Sequence, residues 1–410
     1  MVLSAGLAPG GHAANQAAAA AIAREFGVAA TGTFGTALFG FAGTVSEDQL
    51  AALAADPRVA YVQRDRVFTI QVQDSCPVCG GGAGGEVVPW GVERIGAAEN
   101  ANEGTGIHVY VIDTGIDSDH PDLAANLGNG ASFMSCKGGP MTCKQPWDDD
   151  HGHGSHVAGT IGAIKGNNTA VVGVAAEVTL HAVKVCDKSG FCFGSAIISG
   201  IDWTANEVAT RRQAAAANMS LGGGGSKTGT CHDDGSFTGS DAEHQAMCQA
   251  RHVGVVFAVA AGNAGDDAEN TAPAAFDDVA MAVSAVSCSV SDNLCGRGTE
   301  DWPSWSNWGD NAASWLVNNN NSAPVALAAP GVSVLSTWND GGTRTISGTS
   351  MASPHVAGTV ALFLKTKPQR PNGNAFLDAR KALLTAAETT PFNNTSGNPH
   401  DEDFVNAKNQ

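Results

Sequence analysis

Basic residues are scarce in this chain. Its 410 residues hold 22 Lys and Arg against 40 Asp and Glu, a net charge of −18. Nucleic-acid binding depends on cations that neutralise phosphates, so this balance argues against such a partner. Aromatic residues are sparse as well, at 6%. No uninterrupted apolar run approaches the ~20 residues that span a bilayer, so no membrane segment is expected. A secretory leader is also not visible: the first basic residue is Arg24, and Asn15 and Gln16 interrupt the alanine-rich stretch that follows residue 12. Glycine is abundant instead, at 51 residues. That suits close backbone packing and many turns, not a coiled coil or a disordered tail. The length allows a large core plus a second, smaller unit. Residues 1–75 carry 4 Lys and Arg and 6 Asp and Glu, so nearly all the excess acid belongs to the later region. Such a surface favours solubility and repels anionic partners.

Ten cysteines fall into five near neighbours: Cys76/Cys79, Cys136/Cys143, Cys186/Cys192, Cys231/Cys248 and Cys288/Cys295. Metal or redox work would suit such pairs in the cytosol, and disulfides suit them in an oxidising compartment. Only Cys76-Pro-Val-Cys79 has zinc-knuckle spacing, and no second such pair complements it. Disulfides, and therefore secretion, are the expectation. Local pairing is the simplest connectivity, though spacing alone does not fix it.

Residues 1–75 read as a separate small unit. Ala13–Phe26 is helix-compatible, and Val28–Thr33 and Ala37–Ala42 are strand-like. Ser46-Glu-Asp-Gln49 forms a capping box ahead of a helix with Leu50 and Leu53 on its apolar face, and Val59–Val62 is strand-like. Residues 76–86 form a Cys- and Gly-rich linker. From Val87 onward strands alternate with helices. Ile107–Ile112, Thr179–Val185, Val253–Ala260 and Val279–Val286 are rich in β-branched residues, and Ala217–Ser220 is a further, shorter strand candidate. His153–Ile164, Gly194–Ala209 and Asp241–Ala250 are the intervening helical stretches. That alternation predicts an α/β domain, a parallel sheet with helices on both faces. The asparagine run 318–321 reads as a surface loop.

Three segments carry chemistry. Gly348-Thr-Ser-Met-Ala-Ser-Pro-His-Val-Ala-Gly358 sets Ser350 among small residues just ahead of a buried helix. A serine at neutral pH is a poor nucleophile and needs a base and an orienting acid. Asp113 ends the apolar run from Ile107, where an unpaired carboxylate would be costly. His153 and His156, in His151-Gly-His-Gly-Ser-His156, compete as the base because they lie three apart on one helical face. The run Asp148–Asp150 reads as an acidic rim beside the cleft.

The order Asp, His, Ser and the three motifs together resemble the subtilisin-like serine peptidases over about Val87 to Leu384. The resemblance implies Asp113, His153 and Ser350 as the triad, His156 as a packed core histidine, and Ser155 where threonine is commoner. It implies that Asn263 donates its amide to the oxyanion. Ser220, Leu221 and Gly222 would face Ala260, Ala261 and Gly262 across the specificity pocket, with no charged residue in either wall. A structural calcium site would draw on Glu86, Asp122 and Asn167 with the carbonyls of Thr169 and Val171. Glu86 stands where glutamine is commoner, and Asn167 also opens an Asn-Asn-Thr sequon. Residues 1–75 resemble, on Leu53–Asp65 above all, the inhibitory prodomain of these enzymes, a small ferredoxin-like α+β unit whose first strand here is short. The expected layout is thus a prodomain at 1–75, a linker with the maturation region at 76–86 and a subtilisin-like peptidase domain at 87–410. The expected protein is a secreted, monomeric, calcium-supported endopeptidase acting on polypeptides, made as a self-processing zymogen with its own prodomain as inhibitor. Two rivals remain: a catalytically silent binding protein on the same fold, and a lipase-type hydrolase. The latter would want a Gly-x-Ser-x-Gly elbow, which Ser350 lacks.

Overall fold

A computed structural model describes residues 1–8, 10–73, 85–139, 142–288, 300–309, 325–389 and 392–410. The small unit packs two helices on a four-stranded antiparallel sheet. Its elements are β1 (Val2–Leu3), α1 (His12–Glu25), β2 (Ala30–Phe34), β3 (Gly40–Gly43), α2 (Glu47–Ala55) and β4 (Val59–Tyr61). The strands lie in the order β2-β3-β1-β4. Ile22, Ala23, Phe39, Phe41 and Leu53 form its core. The expected capping box is present: Ser46 Oγ accepts from Gln49 N, and Gln49 Oε1 accepts from Ser46 N. β2 and β3 start two and three residues later than expected, and β4 starts at the expected Val59.

The next strand, β5 (Val67–Ile70), leaves this unit and joins the larger one. There, β6 (His108–Asp113), β7 (Ala131–Ser132), α3 (His153–Gly162), β8 (Thr179–Lys184), β9 (Phe191–Phe193) and α4 (Gly194–Arg211) come first. They are followed by β10 (Ala215–Met219), β11 (Leu221–Gly224), α5 (Ala242–His252), β12 (Val255–Ala260), β13 (Thr271–Ala272), β14 (Ala280–Cys288), β15 (Glu300–Asp301) and β16 (Val325–Pro330). Two long helices, α6 (Thr349–Thr366) and α7 (Asn374–Ala386), complete the unit. The main sheet runs β7-β8-β6-β10-β12-β14-β16, all parallel, with β15 antiparallel on β14.

Alternation along β6 shows why both faces are covered. Val109 and Val111 enter the core that holds Val157 and Ile161 of α3 and Val356 and Val360 of α6. Tyr110 and Ile112 enter the opposite core with Ile197 and Ile201 of α4 and Met247 of α5. Period-two alternation with both faces apolar is the signature of a buried parallel strand. β8 and β10 leave β6 in opposite directions, so the carboxyl end of β6 lies at a topological switch point, where such sheets open a crevice. Asp113 is the last residue of β6. The disulfides Cys136–Cys143, Cys186–Cys192 and Cys231–Cys248 are formed as expected, and no described cysteine is free. Cys288 is disulfide-bonded, while its expected partner Cys295, the Cys76–Cys79 pair and the 318–321 run lie outside the described residues.

Candidate active site

Asp113 and His153 are both fully buried, and His153 Nδ1 lies 2.7 Å from Asp113 Oδ1. An ionised carboxylate only accepts, so Nδ1 carries the proton and Nε2 is left bare. Nε2 is buried with no hydrogen-bond partner. Thr114 N also donates to Asp113 Oδ1, at 2.7 Å, which fixes the carboxylate's orientation. The second histidine, His156, hydrogen-bonds the carbonyls of Val334 and Arg344 through Nε2 and is held down to about 3 by burial and by the neighbouring His153. Of the two histidines, His153 is the one beside Asp113.

His153 opens α3, and its position follows from two neighbours. Gly152 has φ +114°, and a Cβ there would meet the Trp338 ring at 2.2 Å, so the turn into the helix requires glycine. Asp149 caps that turn. Its carboxylate accepts from Gly152 N, Ser155 N, Ser155 Oγ and Thr114 Oγ1 at 2.7–2.9 Å. The expected acidic rim is therefore wrong: Asp148 and Asp149 are 1% exposed, and Asp150 pairs with buried Lys184. These carboxylates are satisfied by backbone N–H groups, two hydroxyls and one lysine, which is why they can be buried.

Ser350 stands in the first turn of α6. Pro354 has no N–H to give to the carbonyl four residues back, which is that of Ser350. Ser220 Oγ donates to this freed carbonyl at 2.8 Å, and Asn218 and Ser353 complete a buried chain behind it. Ser350 Oγ donates to Ser220 O at 2.9 Å, and no hydrogen bond joins it to His153. Asn263 is turned by Thr349, whose N and Oγ1 both donate to its Oδ1 at 3.0 and 2.8 Å. Its amide nitrogen is consequently buried and without a partner. Asn307 steadies the same loop by donating to Ala261 O and accepting from Ala264 N and Asp266 N. Nothing in the sequence around Thr349 or Asn307 marks these supporting roles.

Of the two expected walls, Ser220–Gly222 is covered by the chain itself, and Gly262 of the other donates its N–H to Thr349 Oγ1 beside the serine at 3.1 Å. β5 runs antiparallel between β11 and β9, with Ile70 opposite Leu221 and Thr69 opposite Gly222. Gln71 N donates to Ser350 Oγ at 3.0 Å and to Ser220 O at 3.3 Å. Ser350 N donates to Gln71 O at 3.3 Å. Beyond it, Gln73 N donates to Ser347 O at 2.8 Å. A Cβ on Gly348 would lie 2.3 Å from Gln71 O, so only glycine lets the chain pass there.

Residues 104–404 match the subtilase family, and residues 15–71 match the peptidase inhibitor I9 family. The chain belongs to the subtilase family. This subtilase is 35% identical over 340 residues to alkaline serine exoprotease A of Vibrio alginolyticus, covering 81% of this chain and 53% of that protein. It is 34% identical over 346 residues to the extracellular serine proteinase of Thermus sp. (strain Rt41A), covering 81% and 68%. The chain thus spans about half the length of the Vibrio relative. A crystal structure of a cold adapted subtilisin-like serine proteinase superposes with a TM-score of 0.58 at 32% identity, over 78% of this chain and 98% of that one. The match to the peptidase inhibitor I9 family extends to Gln71.

The five residues expected to hold calcium come together away from the serine. Asp122 is fully buried, with Oδ1 accepting from Asn167 Nδ2 at 2.6 Å and Oδ2 from Val171 N at 2.9 Å. Glu86 accepts from Gly166 N and Asn167 N, and Asn167 Oδ1 from Thr169 N. Burial, with Glu86 adding repulsion, pushes the Asp122 carboxyl up to about 6. Two carboxylates and an amide oxygen, with no cationic side chain bonded to Asp122, offer ligand atoms of the kind calcium takes. The remaining metal-like cluster among the described residues, Cys231, Cys248 and His252, is not a site, because its two cysteines are joined to each other.

Proposed function

We propose that this chain is the zymogen of a secreted serine endopeptidase that cleaves its own Gln71–Val72 bond. The observation that carries the reading is the passage of Gln71 over Ser350, with its N–H on Ser220 O and its carbonyl on Ser350 N. In this mechanism Ser350 Oγ turns from Ser220 O, gives its proton to His153 Nε2 and attacks the Gln71 carbonyl carbon. Asp113 holds the imidazolium that forms. The Ser350 N–H and the free amide of Asn263 receive the oxyanion, and a donor left bare in the resting state is preorganised for charge that appears only in the transition state. The protonated His153 then hands its proton to the leaving Val72 nitrogen, and water hydrolyses the acyl-enzyme. Other polypeptides enter as the same antiparallel strand between β9 and β11. After cleavage the prodomain remains as a product-bound inhibitor, and the mature part acts as a monomer. Calcium would be held by Glu86, Asp122, Asn167 and the carbonyls of Thr169 and Val171, and would supply charge that stabilises the loop 166–171.

Amino-terminal sequencing of the wild type expressed in a protease-deficient host tests the reading. A new terminus at Val72, and a Ser350→Ala chain that stays whole, are expected. A Ser350→Ala chain that still matures would defeat self-processing. A silent binding protein on this fold would leave the wild type whole and unreactive toward a fluorophosphonate probe.

A further inference from the structure

Cys186 and Cys192 close a hairpin that flanks the cleft. Inside it, Gly190 N donates to Asp187 O, and the Asp187 carboxylate accepts from Ser189 N at 2.8 Å and Phe191 N at 3.1 Å. One end of the hairpin is tied to the catalytic strand: Val185 N and Cys186 N donate to Asp113 O at 2.9 and 3.2 Å. The other end is β9, which pairs Phe193 with Val67, Cys192 with Phe68 and Phe191 with Thr69. Ile70 N also donates to Gly190 O at 3.1 Å.

Among the described strands β9 pairs only with β5, at the edge of its sheet. Once the prodomain departs, the bridge, the Asp187 turn, the bond from Asp187 N to Phe191 O at 2.9 Å and the run of β9 into α4 at Gly194 hold this edge. Its side chains alternate. Cys192 is buried against the core, whereas Phe191 and Phe193 are 48% and 41% exposed. They stand opposite Thr69 and Val67, and Val67 is itself 55% exposed. Directly opposed residues on one face of an antiparallel pair touch, and aromatic with β-branched is a favourable combination. Counted back from the Gln71–Val72 bond, Thr69 and Val67 are the third and fifth residues.

We infer that the disulfide-closed hairpin 186–193 is a specificity-determining wall: the bridge keeps β9 preformed for an extended substrate, and Phe191 and Phe193 select apolar or β-branched side chains at the third and fifth positions before the bond. The substrate class is an extended apolar segment, not a single favoured residue. This inference rests on the peptidase reading above.

The test compares mature wild type with Cys186→Ala/Cys192→Ala, Asp187→Ala and Phe193→Ser on two substrates. One is the heptapeptide Val-Phe-Thr-Ile-Gln-Val-Gln, and the other an acyl-glutamine ester that occupies only the first position. Loss of two to three ladder bonds predicts that the selectivity for heptapeptide over ester falls about 10- to 100-fold in the bridge variant, through KM. Asp187→Ala should move it the same way by less. Exchanging the peptide's first Val for Ser should cost about threefold in wild type and nothing in Phe193→Ser. An unchanged selectivity ratio, or a Val-to-Ser cost that persists in Phe193→Ser, overturns the inference. If wild type cleaves neither substrate, the peptidase reading fails instead. Calorimetric binding of the heptapeptide to wild type and bridge variant then decides the hairpin's role, with equal affinity counting against it.

Discussion

Asp202 is the residue on which prodomain docking should depend most. It sits in the middle of α4, 2% exposed, and reaches across to the small unit. Its carboxylate accepts from Gly35 N at 3.0 Å and from Thr36 N and Ala37 N at 2.6 Å. A hydrogen bond to a charged group is worth about 1.5–3 kcal/mol net, and three buried N–H groups would lose theirs in Asp202→Ala. Removing the carboxylate also relieves its own desolvation, so the sum is well below three full bonds. A net loss of about 3–4 kcal/mol corresponds to a roughly 100- to 1000-fold weaker inhibitor. Asp202→Asn should be milder, about tenfold, because an amide oxygen can keep Thr36 and Ala37 while its NH₂ meets Gly35 N. The assay is inhibition of the mature enzyme by added fragment 1–71, with each variant placed in the enzyme. Asp202 makes its hydrogen bonds to the small unit and none to Asp113, His153 or Ser350, so the losses belong to the inhibition constant. A shift below threefold in Asp202→Ala, or equal shifts in both variants, would refute the reasoning.

Asn263→Ala should lower turnover about 100- to 1000-fold with little change in KM, since its amide is free in the resting state; unchanged kcat in steady-state assays would remove it from the oxyanion site. Burial raises the Asp122 carboxyl to about 6, above its unfolded value, so the folded state binds the extra proton. In chelator, stability should therefore fall as pH rises from about 4 through about 6, and excess calcium should flatten that slope in thermal melts. Asp122→Ala should melt identically with and without calcium. Thiol titration of the unfolded, unreduced protein should find no free cysteine, and stoichiometric zinc would contradict the pairing of Cys76 with Cys79.

Much of this was legible in the sequence because it is local. Strand β6 announces itself by its β-branched run, and Ser46 and Gln49 announce the second helix by spacing alone. The motifs around Asp113, His153 and Ser350 are each contiguous, and their resemblance to the family singled out His153, which the spacing of His153 and His156 alone left open. Other features were not legible. β16 and the hairpin Val334–Thr337 with Thr343–Ile346 carry no strong pattern, and the core they complete is what orders them. Asp148–Asp150 looked like a solvated acidic rim because charge in a sequence carries no sign of its partners. Only folding brings Lys184 and the amino end of α3 to these carboxylates.

By itself the sequence determined the alternation of strand and helix and the contiguous motifs that carry Asp113, His153 and Ser350, and it pointed to a small unit ahead of a large one. The tertiary structure decided which bond lies over Ser350. That choice depends on the number of residues between β4 and the cleft and on the register of β5 against Leu221 and Gly222, both set by packing between units far apart in the chain. It also decided that the amide of Asn263 is free, because its oxygen is taken by Thr349, 86 residues away. Long-range hydrogen bonds of this kind leave no periodicity behind, so only the folded chain reveals them.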